Sequence, residues 1–215
     1  MQRGRPGIHR YQLPVPEQQP SAPLRCCLLS GGTSRRMGSD KALLPHPEGC
    51  TWLERSLQLL ASQERPITLL SRWPDHQTLA QAMHLPELET ITEPPPWEGP
   101  LLALHRLMER HPQQRLLVCP VDMPHLQPIA LNALVAAAAV EPGRVHVAHD
   151  GHQRQPLLGI YPSHPALARS LARSIQQGER RLQTWLISVG CNDVPLAAPL
   201  VRNINRAEEL RALAP

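Results

Sequence analysis

The feature that most restricts how this chain can fold is the regular alternation of short apolar runs with longer helix-like segments, broken by Pro and Gly. Strand-like runs fall at 25–30, 67–71, 90–92, 115–119, 144–149, 157–161 and 200–203. Helix-like segments fall at 52–63, 74–83, 100–109, 128–140, 165–177 and 207–213. In the first of these, Leu53, Leu57 and Leu60 recur at helical spacing. Pro100 and Pro128 suit the first turn of a helix, where the missing N–H of proline is not needed. Strands alternating with helices predict an α/β fold, a mainly parallel sheet with helices on both faces. Sheets of that kind bind ligands beyond the carboxyl ends of their strands. Chemistry is therefore expected in the loops that follow strands.

Composition narrows the reading. A chain of 215 residues suits one domain with a sizeable core. It has no Phe and only 3% aromatic residues, so the core must be built from Leu, Ala, Val and Ile. Such sparse aromatics argue against stacking platforms for single-stranded nucleic acid. The net charge of +4 forms no obvious stripe, and an anionic small molecule accounts for it as well as a polynucleotide would. No nucleic-acid partner is expected. The five cysteines are odd in number and include no Cys-x-x-Cys, so neither a disulfide framework nor a zinc site is expected. That usage suits a reducing compartment and a cytoplasmic location. Residues 1–23 are polar, rich in Pro, Gln and Arg, and lack the apolar centre of a signal peptide. They read as a disordered leader, with the domain at 24–215. The longest apolar run, 133–140, is too short to span a membrane.

Two segments carry chemistry. After the first strand comes Ser30-Gly31-Gly32-Thr33-Ser34-Arg35-Arg36-Met37-Gly38-Ser39-Asp40-Lys41. Paired glycines let backbone N–H groups approach and wrap a phosphate chain, and three bases add positive charge. The segment is neither a Walker A loop nor the dinucleotide fingerprint. Lys41 is the only lysine among 22 Lys and Arg residues. Arg is a wide planar fork, whereas Lys is a compact ammonium on a thin stem, suited to meeting a phosphate in a crowded loop. The second segment, Leu116-Leu117-Val118-Cys119-Pro120-Val121-Asp122-Met123-Pro124, is an apolar strand ending in one carboxylate. Asp122 is placed either to hold magnesium (Mg²⁺) against bound phosphates or to cap the next helix or turn.

The run from Leu29 to Leu44 resembles the signature of the molybdenum cofactor guanylyltransferase (MobA-like) nucleotidyltransferases, Leu-Ala-Gly-Gly-x-Ser-x-Arg-Met-Gly-x-Asp-Lys, with Ser30 in place of Ala. Cys119 to Pro124 resembles the family's metal-binding Cys-Asp-x-Pro. Gly99-Pro100-Leu101 is similar to its Gly-Pro-Leu-Ala-Gly, with Ala103 for the last Gly. His149-Asp150-Gly151 with Gln155-Pro156 resembles His-Asp-Gly…His-Pro, and Gly178-Glu179-Arg180-Arg181 matches Gly-Glu-Arg-Arg. Asn203-Ile204-Asn205 followed by Glu208-Glu209-Leu210 resembles Asn-x-Asn-Thr-Pro-Glu-Glu-Leu. The resemblance implies a three-layer αβα, Rossmann-like, mostly parallel sheet of the nucleotide-diphospho-sugar transferase type. It implies transfer of GMP from GTP to the terminal phosphate of molybdopterin, with release of pyrophosphate. Nucleotide-binding positions would be Leu29, Ser30, Gly31, Gly32, Lys41, Ser71, Glu93 and Asp122. Lys41, Arg36 and Asp122 would be catalytic, with Mg²⁺ as cofactor on Asp122. Arg181, Asn203 and Asn205 would lie on the pterin side, although Asn205 equally suits a helix cap. Ser71 and Glu93 stand where the family has Asn and Asp. Molybdoenzymes or delivery proteins would be further partners. Two alternatives remain open at this level: cytidylyl or sugar-phosphate transfer by the same chemistry, and a non-catalytic nucleotide-binding partner or sensor. The Gly31-Gly32 pair favours GTP, because the cytidylyl members tend to carry Ala-Gly there.

Overall fold

The computed structural model describes residues 22–32 and 40–204. The expectations for 1–21, Arg36, Asn205 and the helix at 207–213 lie outside the described residues.

Seven strands form one sheet: β1 (Leu24–Leu29), β2 (Ile67–Ser71), β3 (Leu88–Thr92), β4 (Arg115–Pro120), β5 (His146–His149), β6 (Arg154–Pro162) and β7 (Asn192–Pro195). Their order is β3-β2-β1-β4-β6-β5-β7. Only β6 runs against its neighbours, pairing antiparallel with β4 and β5, so the expected mostly parallel sheet is present. All residues of β2 and β4 are buried, as near-continuous apolar strands covered on both faces should be.

The helices are α1 (Trp52–Ala61), α2 (Pro74–Ala82), α3 (Pro100–Arg110), α4 (Pro128–Val140), α5 (Pro165–Gln176) and α6 (Leu182–Val189). Side-chain alternation along the strands divides the core in two. Cys26, Leu28, Leu69 and Leu117 face α1, α2 and α4, packing with Leu57, Leu60 and Leu131. Cys27, Leu70 and Val118 face α3, α5 and α6, packing with Leu104, Leu107 and Trp185. The result is the three-layer αβα arrangement. Local chemistry sets the helix starts. Thr51 and Glu54 form a reciprocal capping box at α1. Proline occupies the first turn of α2, α3, α4 and α5.

Two expectations change. The run at 200–203 is not a strand: Ala198–Val201 forms a short 3-10 turn instead. The last strand is Asn192–Pro195, whose Asn, Asp and Pro hide it from an apolar-run criterion. It can be polar because it is an edge strand, paired only with β5 and tied by Asp193 to Arg154 at 2.6 Å. Helix α6 is an element the alternation did not reveal. Cys26, Cys27 and Cys119 are buried in the sheet, and all five cysteines are free.

Register positions the site. Leu29 lies level with both Leu70 and Pro120, and Leu70 with Ile91. Strands β1 to β4 therefore end together, and the residues following each of them gather on one sheet edge. The chain runs outward from β1 to β2 and β3, then returns to β4 on the other side. The reversal between β1 and β4 opens a crevice at that edge.

Candidate active site

A cavity of about 340 Å³ occupies this crevice. Leu29, Ser30, Gly31 and Gly32 form its β1 side, Val121 and Asp122 its β4 side, and Arg72, Glu93 and Trp97 the far wall. Residues separated by 90 positions in sequence thus share one chamber.

Lys41 and Asp122 meet at its floor, with Lys41 Nζ 3.4 Å from Asp122 Oδ2. Lys41 opens a single 3-10 turn, Lys41–Leu43, capped by the Asp40 carboxylate, which accepts from the Ala42 N–H at 3.0 Å. Burial pushes the Asp122 carboxyl above its ordinary pKa, and the Lys41 ammonium pulls it back. Asp122 Oδ1 is buried with no hydrogen-bond partner among the described residues. A carboxylate held next to a lysine with one oxygen left open is a ready cation ligand. Among the described residues, no group of three or more His, Cys, Asp or Glu side chains gathers to hold a metal. The open oxygen of Asp122 would suit Mg²⁺, which takes one or two carboxylates and completes its shell with phosphate oxygens and water.

The loop end is pinned by a buried relay absent from the sequence reading. His76, only 1% exposed, places Nε2 2.8 Å from Asp40 Oδ2. Its Nδ1 lies 2.9 Å from both the Ser30 and Ser71 hydroxyl oxygens. Ser71 also donates to the Ser30 carbonyl at 3.0 Å. Ser71 is fully buried and does not line the cavity. Its hydroxyl is engaged in joining β2 to β1 and α2, while Ser30 does line the chamber.

Glu93 is buried at the end of β3 and faces the glycine loop. Its Oε1 accepts from Arg106 at 2.9 Å. A Cβ on Gly31 would sit 2.5 Å from Glu93 Oε2, so only glycine allows this approach. Burial raises the Glu93 pKa; Arg106 and, more weakly, Arg72 oppose the rise. At the cavity rim, Gly99 adopts φ +99°, a conformation open to glycine, and starts α3.

The residues expected on the pterin side stand further out. Asn203 donates to Gln155 at 3.0 Å, and Gln155 donates to Asp150 at 2.8 Å. The neighbouring Ile204 N–H donates to the Asp122 carbonyl at 3.0 Å, which brings this C-terminal segment beside Asp122. Arg181 is exposed at the start of α6 and does not line the cavity, but its turn packs near Gly99 on the rim. Sequence reasoning missed Asp40, His76, Arg72, Trp73, Trp97 and Arg106. A usable signal was present for Trp73 and Trp97: two of only four tryptophans sit in the loops just after strands.

A glycine turn, a lysine and a carboxylate with one open oxygen meet at the switch point of a doubly wound sheet, an arrangement that suits a nucleotidyltransferase. Comparison with known proteins agrees. Residues 26–190 match the family model described as the MobA-like NTP transferase domain, and the chain belongs to that family. It is similar to the probable molybdenum cofactor guanylyltransferase of Rhodopirellula baltica, with 33% identity over 196 residues, covering 87% of this chain and 90% of the relative. It is 32% identical to the molybdenum cofactor guanylyltransferase of Ectopseudomonas mendocina over 208 residues, covering 92% and 95%. The fold is like that of molybdopterin-guanine dinucleotide biosynthesis protein A from Archaeoglobus fulgidus, with a TM-score of 0.67 at 19% identity, covering 88% and 96%. No helix among the described residues is long and apolar enough to cross a membrane.

Proposed function

We propose that this protein transfers GMP from GTP to the terminal phosphate of molybdopterin. A phosphate oxygen of the pterin substrate attacks the α-phosphorus of GTP. The bond from that phosphorus to the bridging oxygen of the β-phosphate breaks, and pyrophosphate leaves with the electron pair. The observation that carries this reading is the Lys41–Asp122 pair on the chamber floor, with Asp122 Oδ1 open. Two relatives named molybdenum cofactor guanylyltransferase support this choice of substrates.

Within the chamber, the backbone from Ser30 to Gly32 lines the phosphate path and Lys41 neutralises charge on the α-phosphate. Asp122 would hold Mg²⁺, which when bound offsets charge on the phosphate oxygens. Arg36 is assigned to the departing pyrophosphate from the sequence resemblance. The attacking phosphate is already ionised near neutral pH, so the protein needs no general base. Catalysis rests on positioning and charge neutralisation. Arg181 and Asn203 are assigned to the pterin side. The free, buried cysteines support a cytoplasmic location, and delivery proteins or molybdoenzymes would receive the product.

The test is titration calorimetry with GTP, CTP, ATP and UTP in Mg²⁺, followed by pyrophosphate release with molybdopterin. GTP preference and GTP-dependent release support the reading. Preference for another nucleotide, or full turnover by Lys41→Ala, refutes it.

A further inference from the structure

Arg72 follows β2 directly and lines the cavity. Its guanidinium carbon lies 4.5 Å from the ring centre of Trp73 and 4.9 Å from that of Trp97. The two indoles are anchored to the site itself. Trp73 Nε1 donates to the Gly32 carbonyl at 3.2 Å, and Trp97 Nε1 donates to the Glu93 carbonyl at 3.0 Å. Stacking against rings engages the plane of a guanidinium and leaves its N–H edge available. On that edge Arg72 Nε is buried with no hydrogen-bond partner among the described residues. Other arginines of this face are paired, Arg106 with Glu93 and Arg180 with Glu98. An oriented, desolvated donor on a chamber wall carries a penalty unless a ligand supplies the acceptor.

We propose that Arg72 is a specificity-determining residue that reads the six-position carbonyl of a guanine base, as the donor half of a pair with Glu93. This inference rests on the guanylyltransferase reading. Guanine presents O6 and N7 as adjacent acceptors, a match for the arginine fork. Its N1–H and 2-amino donors suit a carboxylate, and Glu93 has one oxygen engaged by Arg106 while the other faces the glycine loop. Adenine and cytosine each turn an amino donor toward the arginine instead. Donor would meet donor in a buried site, which rejects them. Trp97, 52% exposed, is the second indole held against the guanidinium, 4.9 Å from its carbon.

The experiment is calorimetry on the full chain in Mg²⁺ with GTP, ITP and ATP, using the natural protein, Arg72→Gln, Arg72→Lys and Glu93→Gln. Arg72→Gln should weaken GTP about 5- to 150-fold, the range for one bidentate base contact, and leave ATP within about twofold, so that discrimination collapses. Arg72→Lys should behave like Arg72→Gln, because a point charge cannot replace the fork. ITP retains O6 and lacks the 2-amino group. The ITP-to-GTP ratio should therefore be unmoved by Arg72→Gln and shifted by Glu93→Gln. Pyrophosphate affinity and the melting temperature report separately on the phosphate loop and on folding. An equal loss for GTP and ATP would overturn the proposal by making Arg72 a phosphate or structural contact. Unchanged GTP selectivity in Arg72→Gln would overturn it while leaving guanylyl transfer standing. A natural protein with no GTP preference would overturn both.

Discussion

Replacing Lys41 by Met removes one charge from the chamber floor while nearly keeping the volume, and its consequences can be worked from the pair geometry. At 3.4 Å the gross attraction between Lys41 and Asp122 is about 5 kcal/mol at an effective dielectric constant of about 20. Solvent reaches both side chains, 12% and 26% exposed, and desolvation offsets much of the attraction, so a net coupling of about 1–3 kcal/mol is expected. The sign with pH follows from Asp122. Burial already holds its pKa above the ordinary carboxylate value, and Lys41 restrains the rise. Without Lys41 it rises further. A carboxyl whose native pKa is raised binds its proton more tightly folded than unfolded. Stability is then lost as pH climbs from about 4 through the native pKa. Lys41→Met should therefore approach the natural protein's stability near pH 4.5 and lose about 1–3 kcal/mol near pH 8, relative to its low-pH difference. Urea unfolding at the two pH values measures this directly. In an Asp122→Asn background the same substitution should show no such pH dependence. Turnover in Lys41→Met should fall about 10²- to 10³-fold, as for removal of one preorganised electrostatic donor. A stability loss independent of pH and identical in both backgrounds would refute the coupling, and unchanged turnover would refute the catalytic role.

Gly31→Ala places a methyl 2.5 Å from Glu93 Oε2, so Glu93 must swing away from Arg106. GTP affinity should drop about tenfold, the equivalent of one net charged hydrogen bond, and unchanged affinity in calorimetry would count against the Glu93 assignment. His76→Ala removes the group joining Ser30 and Ser71 to Asp40. It should cost about 2–3 kcal/mol in urea unfolding by orphaning buried partners and should lower turnover by loosening the turn that carries Lys41; unchanged turnover of the folded variant would show that the relay serves stability alone. His111 is buried beside Thr68, and burial pulls its pKa down to about 4. The unfolded chain binds that proton first, so stability on the order of 2 kcal/mol should be lost as pH falls from about 6.5 through 4. His111→Gln should flatten this acid limb in pH-dependent unfolding, and a limb that persists would place its origin elsewhere.

The layer architecture was legible because covered parallel strands must be short apolar runs and amphipathic helices must repeat their leucines. Arg115–Pro120 and Leu53, Leu57 and Leu60 show both patterns without any tertiary information. That Gly31, Gly32, Lys41 and Asp122 converge on one cavity was legible for a related reason: their residue types, in the segments that follow β1 and β4, mark the edge of the sheet where ligands bind. The strand Asn192–Pro195 was not legible, because an edge strand buries little and needs no apolar signature. Nor was the fate of Ser71, since a serine after a strand reads equally as a ligand contact or a turn. Only packing against His76 at 2.9 Å decides that it belongs to the scaffold. The surroundings of Glu93 followed the same rule. Arg72, Trp73 and Trp97 come from two loops and Arg106 from a helix, and nothing in their spacing encodes these contacts. Residue type determined which groups could meet a phosphate. The register of four strand ends determined which groups share one desolvated space, because contact between residues far apart in sequence exists only once the sheet aligns them.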